Sequence, residues 1–407
     1  MSVATADTPY FDDAIAKRNA VILSLAMTLS SCSAIIVFTT AGIVGTMLSP
    51  VNSLITLPVS TFVIGTALAT VPASLMMGKF GRKPGFMFGA ILAFFGALLA
   101  VYALYQESFV LFCIATGLLG AYMAFSQYYR FAAADRATED FRARAISWVM
   151  VGGIGGSIFG PLLVIYSRAV LSPVMFAGTF VVAGALALCA LALVSLVNIP
   201  LVPEVKEDGP TRPLPSILKN TRLIVAIITG MVSYGVMNLL MTATPIAMVG
   251  HGFSVDDSAW IIQWHSLAMF GPSFFTGHLI ARYGVERIIF TGLLLLVTAA
   301  IAGLAGVTFS NFAVGLILLG LGWNFGFIGA TTMVTECYQP AEKSKVQAFN
   351  DFAVFATVAL ASLTSGKLFA TIGWDAVNVA LFPAVAVAVF ALIWLFFHQR
   401  KRSIFTS

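Results

Sequence analysis

The chain reads as an all-α membrane protein of twelve transmembrane helices arranged as two six-helix bundles. Long apolar stretches, the placement of basic residues and an internal repeat point to it. Of 407 residues, 59% are apolar and 10% charged, against about 25% charged in an ordinary soluble domain. Crossing a hydrocarbon core of about 30 Å takes roughly 20 apolar residues in a helix. Such stretches lie at about 20–48, 53–77, 84–106, 108–130, 145–168, 173–198, 222–249, 257–281, 287–308, 310–335, 346–370 and 374–398.

Segment one is too long for a cleavable leader, and the polar stretch before it, with Asp12, Asp13, Lys17 and Arg18, predicts that it stays in the mature chain. Segments two and three are joined by Gly78-Lys79-Phe80-Gly81-Arg82-Lys83-Pro84. Segment four ends in Gln127, Tyr128, Tyr129 and Arg130, where Gln127 is a candidate lining residue. Segment five carries Gly152-Gly153, Gly155-Gly156 and Gly160, a run that lets helices approach closely. The polar, proline-rich stretch after segment six divides the chain into an N-terminal bundle (1–199), a linker (200–221) and a C-terminal bundle (222–407). Segments eight and nine are joined by Ala281-Arg282-Tyr283-Gly284-Val285-Glu286-Arg287, an echo of the first loop about 203 residues on.

Every Lys and Arg except Arg168 and Lys367 lies in a terminal tail or in a loop after an even-numbered segment. Cations gather on the cytoplasmic side of membrane proteins, so both termini are expected in the cytoplasm. The net charge of +5 is thereby accounted for by topology, and no nucleic-acid partner is expected. The four cysteines, scattered over different segments, form neither a disulfide framework nor a redox pair.

The loop Gly78, Gly81, Arg82, Lys83 and the six-plus-six layout resemble the major facilitator superfamily over about residues 15 to 400. The resemblance implies two bundles rocking about a central site, with the loop as a gating element. Lys79 stands where the family pattern has an acidic residue, so the charge-relay role of that position does not carry over. The chain has no ATP-binding loop, and neither an enzyme nor a resident cofactor is expected.

Polar groups at membrane depth are costly and are functional candidates by default. Segments seven and eight offer Met237 and Met241, then His265 and Met269. Each i, i+4 pair shares a helix face, and both are placed symmetrically about the connecting loop. Thioethers and imidazole are soft, neutral donors suited to Cu(I), although methionine is also a common core filler. The pairing of MxxxM with HxxxM resembles the CcoA-type copper importers, a branch of that superfamily that also contains riboflavin importers. The resemblance implies that these four residues bind copper on its way into a bacterial cytoplasm for cytochrome oxidase assembly.

The main expectation is therefore Cu(I) import by a monomer in the inner membrane. Copper is its transported substrate, and a cytoplasmic copper chaperone and the lipid bilayer are its partners. Gln263 and Trp264, within a turn of His265, are candidates to wall that site; one alternative is uptake of a flat organic solute such as riboflavin, with Trp264, Tyr234, Phe270 and Asn238 stacking and hydrogen bonding. The other is a copper receptor or assembly factor that does not transport.

Overall fold

The computed structural model describes residues 12–199, 212–339 and 342–406, and among these it is helical with short connections. The first half comprises α1 (Asp13–Leu48), α2 (Leu57–Phe80), α3 (Arg82–Tyr105), α4 (Phe109–Ser126), the short α5 (Tyr129–Ala134), α6 (Glu139–Ser167) and α7 (Ala177–Ser195). The second comprises the short α8 (Leu214–Ile217), α9 (Thr221–Gly250), α10 (Val255–Phe270), α11 (Ser273–Tyr283), α12 (Val285–Leu304), α13 (Phe309–Thr335), α14 (Lys343–Ile372), the short α15 (Trp374–Val379) and α16 (Leu381–Thr406). Most of the expected linker lies outside the described residues; its last part contains α8.

Two boundaries depart from the sequence reading for identifiable reasons. α1 begins at Asp13, earlier than expected, because the Asp12 carboxylate accepts the Ala14 and Ile15 amides and caps the helix ahead of the apolar run. Eleven helical stretches among the described residues are long and apolar enough to span a membrane. The eighth expected segment is instead divided into α10 and α11, since Pro272 has no amide hydrogen to continue the ladder. End to end, α10 and α11 cover the same length of chain.

Small residues set the closeness of packing. Ala90, Ala93, Ala97 and Ala100 of α3 and Ala183, Ala187 and Ala190 of α7 are all buried where those helices pack. In α6 the glycine run serves close packing against α1: a Cβ on Gly156 would overlap Ser31, and one on Gly152 would reach Met27. The second half is filled instead by branched and aromatic side chains, among them Ile289, Leu293, Leu296, Leu319 and Trp374.

The repeat is visible in backbone geometry. Gly81 ends α2 and begins α3 at φ 95°, ψ 160°, and Gly284 ends α11 and begins α12 at φ 90°, ψ 148°. Only glycine enters that region without strain, so both loops keep it. The halves also meet symmetrically: α1 packs on α9, while α2 packs on α14 and α6 on α10, so the second and fifth crossings of each half exchange partners.

Successive helices alternate in direction. One end of the molecule therefore carries the start of α1 and the loop at Gly81, here called the terminal end; the other is the far end.

Candidate functional site

A cluster of five aromatic side chains lies where α9, α10, α13 and α14 converge, near the middle of the long helices. Trp323 and Phe327, one turn apart on α13, stack with centroids 5.3 Å apart and ring planes 18° apart. Tyr234 of α9 meets Trp323 edge to face at 5.4 Å and Phe327 at 5.0 Å, and Phe355 of α14 lies 6.1 Å from Tyr234. Phe270, the last residue of α10, meets Trp323 edge to face at 6.1 Å. Such arrangements suit the ring quadrupoles and contribute about 0.5–1.5 kcal/mol per pair beyond area burial.

The cluster stands on the boundary between the halves. Ile35 and Phe38 of α1 pack into the second half's core. Tyr234 and Phe327 in turn pack against the core cluster that joins the first half to Val354 and Val358 of α14. Gly153 of α6 faces Phe270, with room for a Cβ 3.8 Å from the ring. Unlike the other glycines of its run, Gly153 is turned toward the opposite half.

Trp323 Nε1 and, beside Tyr234, Ser233 Oγ are buried without a hydrogen-bond partner, as are Gln263 Oε1 and His265 Nε2 further back along α10. An unpaired buried N–H costs about 1–3 kcal/mol. Trp323 is 7% exposed, so water does not reach its N–H freely. A ligand carbonyl in the plane of the indole would accept this hydrogen bond. An apolar cavity of about 350 Å³ opens behind the cluster, between α9, α14 and α16, lined among others by Met231, Gly235, Thr357 and Leu381. None of the five aromatic side chains lines it.

The structure distributes the sequence candidates unevenly. Met237, Met241 and Met269 are all buried in the core of the second half, at 3%, 5% and 7% exposure. His265 is fully buried, and its Nδ1 donates to the Leu316 carbonyl at 2.7 Å, tying α10 to α13. Asn238 donates to the Val358 carbonyl at 3.2 Å and ties α9 to α14. Trp264 is 53% exposed on the same stripe of α10 as Trp260. Gln127 is half-buried as the C-cap of α4. In the expected gating loop Gly78 is exposed, Lys83 half-buried, and Arg82 pairs with Asp135 beyond α4.

Trp323, Phe327 and Phe355 were not among the sequence candidates. The available signal was an i, i+4 aromatic pair at the centre of segment ten, far from the interfacial belt where tryptophan gathers.

The sequence model of the Major Facilitator Superfamily matches residues 23–254 and 226–406. The chain belongs to the Major Facilitator Superfamily. Its second match begins near α9, in keeping with the repeated halves. The riboflavin transporter RfnT of Brucella anthropi is 48% identical over 386 residues, covering 94% of this chain and 96% of that protein. The uncharacterised MFS-type transporter YddS of Bacillus subtilis is 28% identical, covering 84% and 82%. Among solved structures, the nucleoside transporter NupG superposes with a TM-score of 0.70 at 15% identity, covering 93% of this chain and 99% of that one. The human organic anion transporter MFSD10 gives 0.66 at 16%, covering 93% and 99%. These two likenesses show the fold.

The kinship with RfnT overturns the expectation of copper import and, with it, copper and its chaperone as partners. Soft donors one turn apart look alike in sequence whether they ligate a metal or fill a core. Here the thioethers lie in the packed core of the second half.

Proposed function

We propose that this protein imports riboflavin across the bacterial cytoplasmic membrane by alternating access, holding the isoalloxazine ring in the aromatic cluster between its halves. The observation that carries this reading is the 48% identity to a riboflavin transporter along nearly the whole of both chains. The cluster supports it. Tyr234, Phe270, Trp323, Phe327 and Phe355 offer faces and edges to a flat tricyclic ring. The free Trp323 N–H meets the chemistry of a ring carbonyl. Gln263 and Ser233 hold further unpaired atoms for polar edges.

The orientation follows the charge pattern. Cations crowd the loops of the terminal end, which supports a cytoplasmic location for that end and both termini. The far end then faces outward, and riboflavin enters from there. No charged ligand is needed for a neutral substrate, and the five ring partners are all uncharged.

Uptake of radiolabelled riboflavin by a riboflavin-requiring bacterium without its own carrier, expressing this chain, tests the reading. The expected result is saturable uptake that Trp323→Ala reduces at least tenfold at normal protein level, about 1.4 kcal/mol or more of lost stacking and hydrogen bonding. Cellular copper should not change. Equal uptake with and without the protein would end the riboflavin assignment.

A further inference from the structure

We infer that Asn324 is a positioning residue: it holds the break between α10 and α11 so that Phe270 and Trp323 stand in register as walls of the binding cluster. This rests on the riboflavin reading for what the walls bind, but the joint itself is a matter of geometry.

Pro272 lacks an amide hydrogen, so one helical hydrogen bond is missing at the middle of this crossing and neighbouring polar groups must find other partners. Asn324 supplies them with every hydrogen-bonding function it has. Its amide nitrogen donates to the Met269 carbonyl at 2.6 Å and to the Ser273 hydroxyl at 2.8 Å. Its carbonyl oxygen accepts from the Thr276 hydroxyl at 2.6 Å, whose single proton is shared with the Pro272 carbonyl at 2.8 Å. Asn324 and Thr276 are both fully buried. One side chain of α13 thus bridges the last turn of α10 and the first turn of α11.

The placement ties this bridge to the binding cluster. Asn324 follows Trp323, and Met269, whose carbonyl it holds, precedes Phe270. The Phe270 and Trp323 rings meet edge to face. Gly320, one turn before Asn324, brings α13 against α10: a Cβ there would come within 2.6 Å of the His265 carbonyl. A buried amide with all its bonds made has one orientation only, so the two walls are fixed relative to each other by the same residue that closes the gap in the helix.

The test is a double-variant cycle, read by flavin fluorescence quenching on purified protein in lipid nanodiscs and by riboflavin uptake in cells. Asn324→Ala is expected to raise Kd and the uptake KM at least tenfold while leaving the maximal rate within about threefold. Pro272→Ala restores the missing amide and makes the bridge dispensable, so P272A/N324A is expected to bind within threefold of P272A alone. The milder Thr276→Val, which removes only the hydroxyl, is expected to raise Kd two- to fourfold and serves where N324A does not fold. Kd unchanged in both N324A and T276V would overturn the inference, and so would a double variant as impaired as N324A.

Hydrogen exchange of the amides at 269–276 judges the joint without any ligand. Faster exchange in N324A, confined to that stretch, is expected; unchanged exchange there would overturn the bridge. Wild-type protein that binds no riboflavin would overturn the functional reading instead, and the exchange result would then stand by itself.

Discussion

The two ends of the molecule join the halves very differently. At the far end Arg168 and Asp256, on opposite halves, form a two-pronged ion pair at 2.7 and 2.8 Å, and the carboxylate holds the guanidinium pKa above its usual value. At the same end, between α2 and α14, the Ser60 and Ser362 hydroxyls meet at 2.9 Å, the Thr56 hydroxyl donates to the Ser362 carbonyl, and Gly366 lets Thr56 approach α14. At the terminal end the ion pairs among the described residues include Arg82 with Asp135 in the first half, and Arg222 with Glu286 and Glu336 in the second. The charges of Arg130 and Asp351 do act on each other across the halves, but without forming an ion pair. Among the described residues, the hydrogen-bonded and ionic joints between the halves gather at the far end.

Wedging the fastened end should have the largest effect. Gly366→Leu puts side-chain atoms where Thr56 now lies, and overpacking of this kind costs about 1–3 kcal/mol. Riboflavin uptake is expected to fall more than tenfold, with spin labels at the far ends of α1 and α9 moving apart. Labels that keep their wild-type separation would show that Gly366 does not fasten this end.

Cutting the ion pair is gentler, because both side chains are partly exposed. Arg168→Ala is expected to shift the balance of states by about 1 kcal/mol, roughly fivefold toward far-end opening. The charge-swapped R168D/D256R should regain most of the loss. The same spin-label distances check it, and a swap as impaired as the single variant would mean that something other than the ion pair is lost. Asp351→Asn acts at the other end and should act in the opposite sense. It removes the attraction that draws the terminal ends together, a shift of about twofold. R168A/D351N is then expected nearer the wild-type distribution than R168A alone.

Most of the fold was legible because hydropathy and charge placement follow from the membrane itself. The crossings lie where the apolar stretches lie, and the echo at Gly81 and Gly284 reports a backbone shape that requires glycine. The site was less legible. Tyr234 and Phe270 were expected for a flat solute and do stand in the cluster. Trp264, also expected there, lies exposed on another face of α10. Helical spacing shows which residues share a face, not which face looks at the other half. Asn324 was legible in principle, as an amide at the centre of an apolar segment, but its task depends on a proline in a different helix. The chemistry of sulfur and imidazole pointed to a metal because residue types do not reveal whether a thioether faces a site or fills a packed core, as Met237, Met241 and Met269 do.

The smallest effect concerns how the second half begins. Glu342, just before α14, accepts from the Arg212 guanidinium at two positions, both 2.7 Å, and from the Arg212 amide at 3.0 Å. The side-chain bonds from Arg212, with help from the Gln339 and Arg212 amides, hold its carboxyl pKa down to about 2. A carboxyl group depressed in the folded state contributes stability that is complete above the ordinary range of about 4.3 and lost as pH falls through the folded value. The attachment of residues 212–218 to the start of α14 should therefore be unchanged between pH 8 and 5 and loosen only as pH falls toward 2. Hydrogen exchange of those amides, corrected for intrinsic pH dependence, measures it. Loosening centred near pH 4 would mean that Glu342 is not held by Arg212. Arg212→Ala should raise exchange across that stretch at neutral pH while leaving riboflavin uptake within twofold. The terminal end of the second half is tied within itself, so loosening it does not touch the contacts that join the two halves.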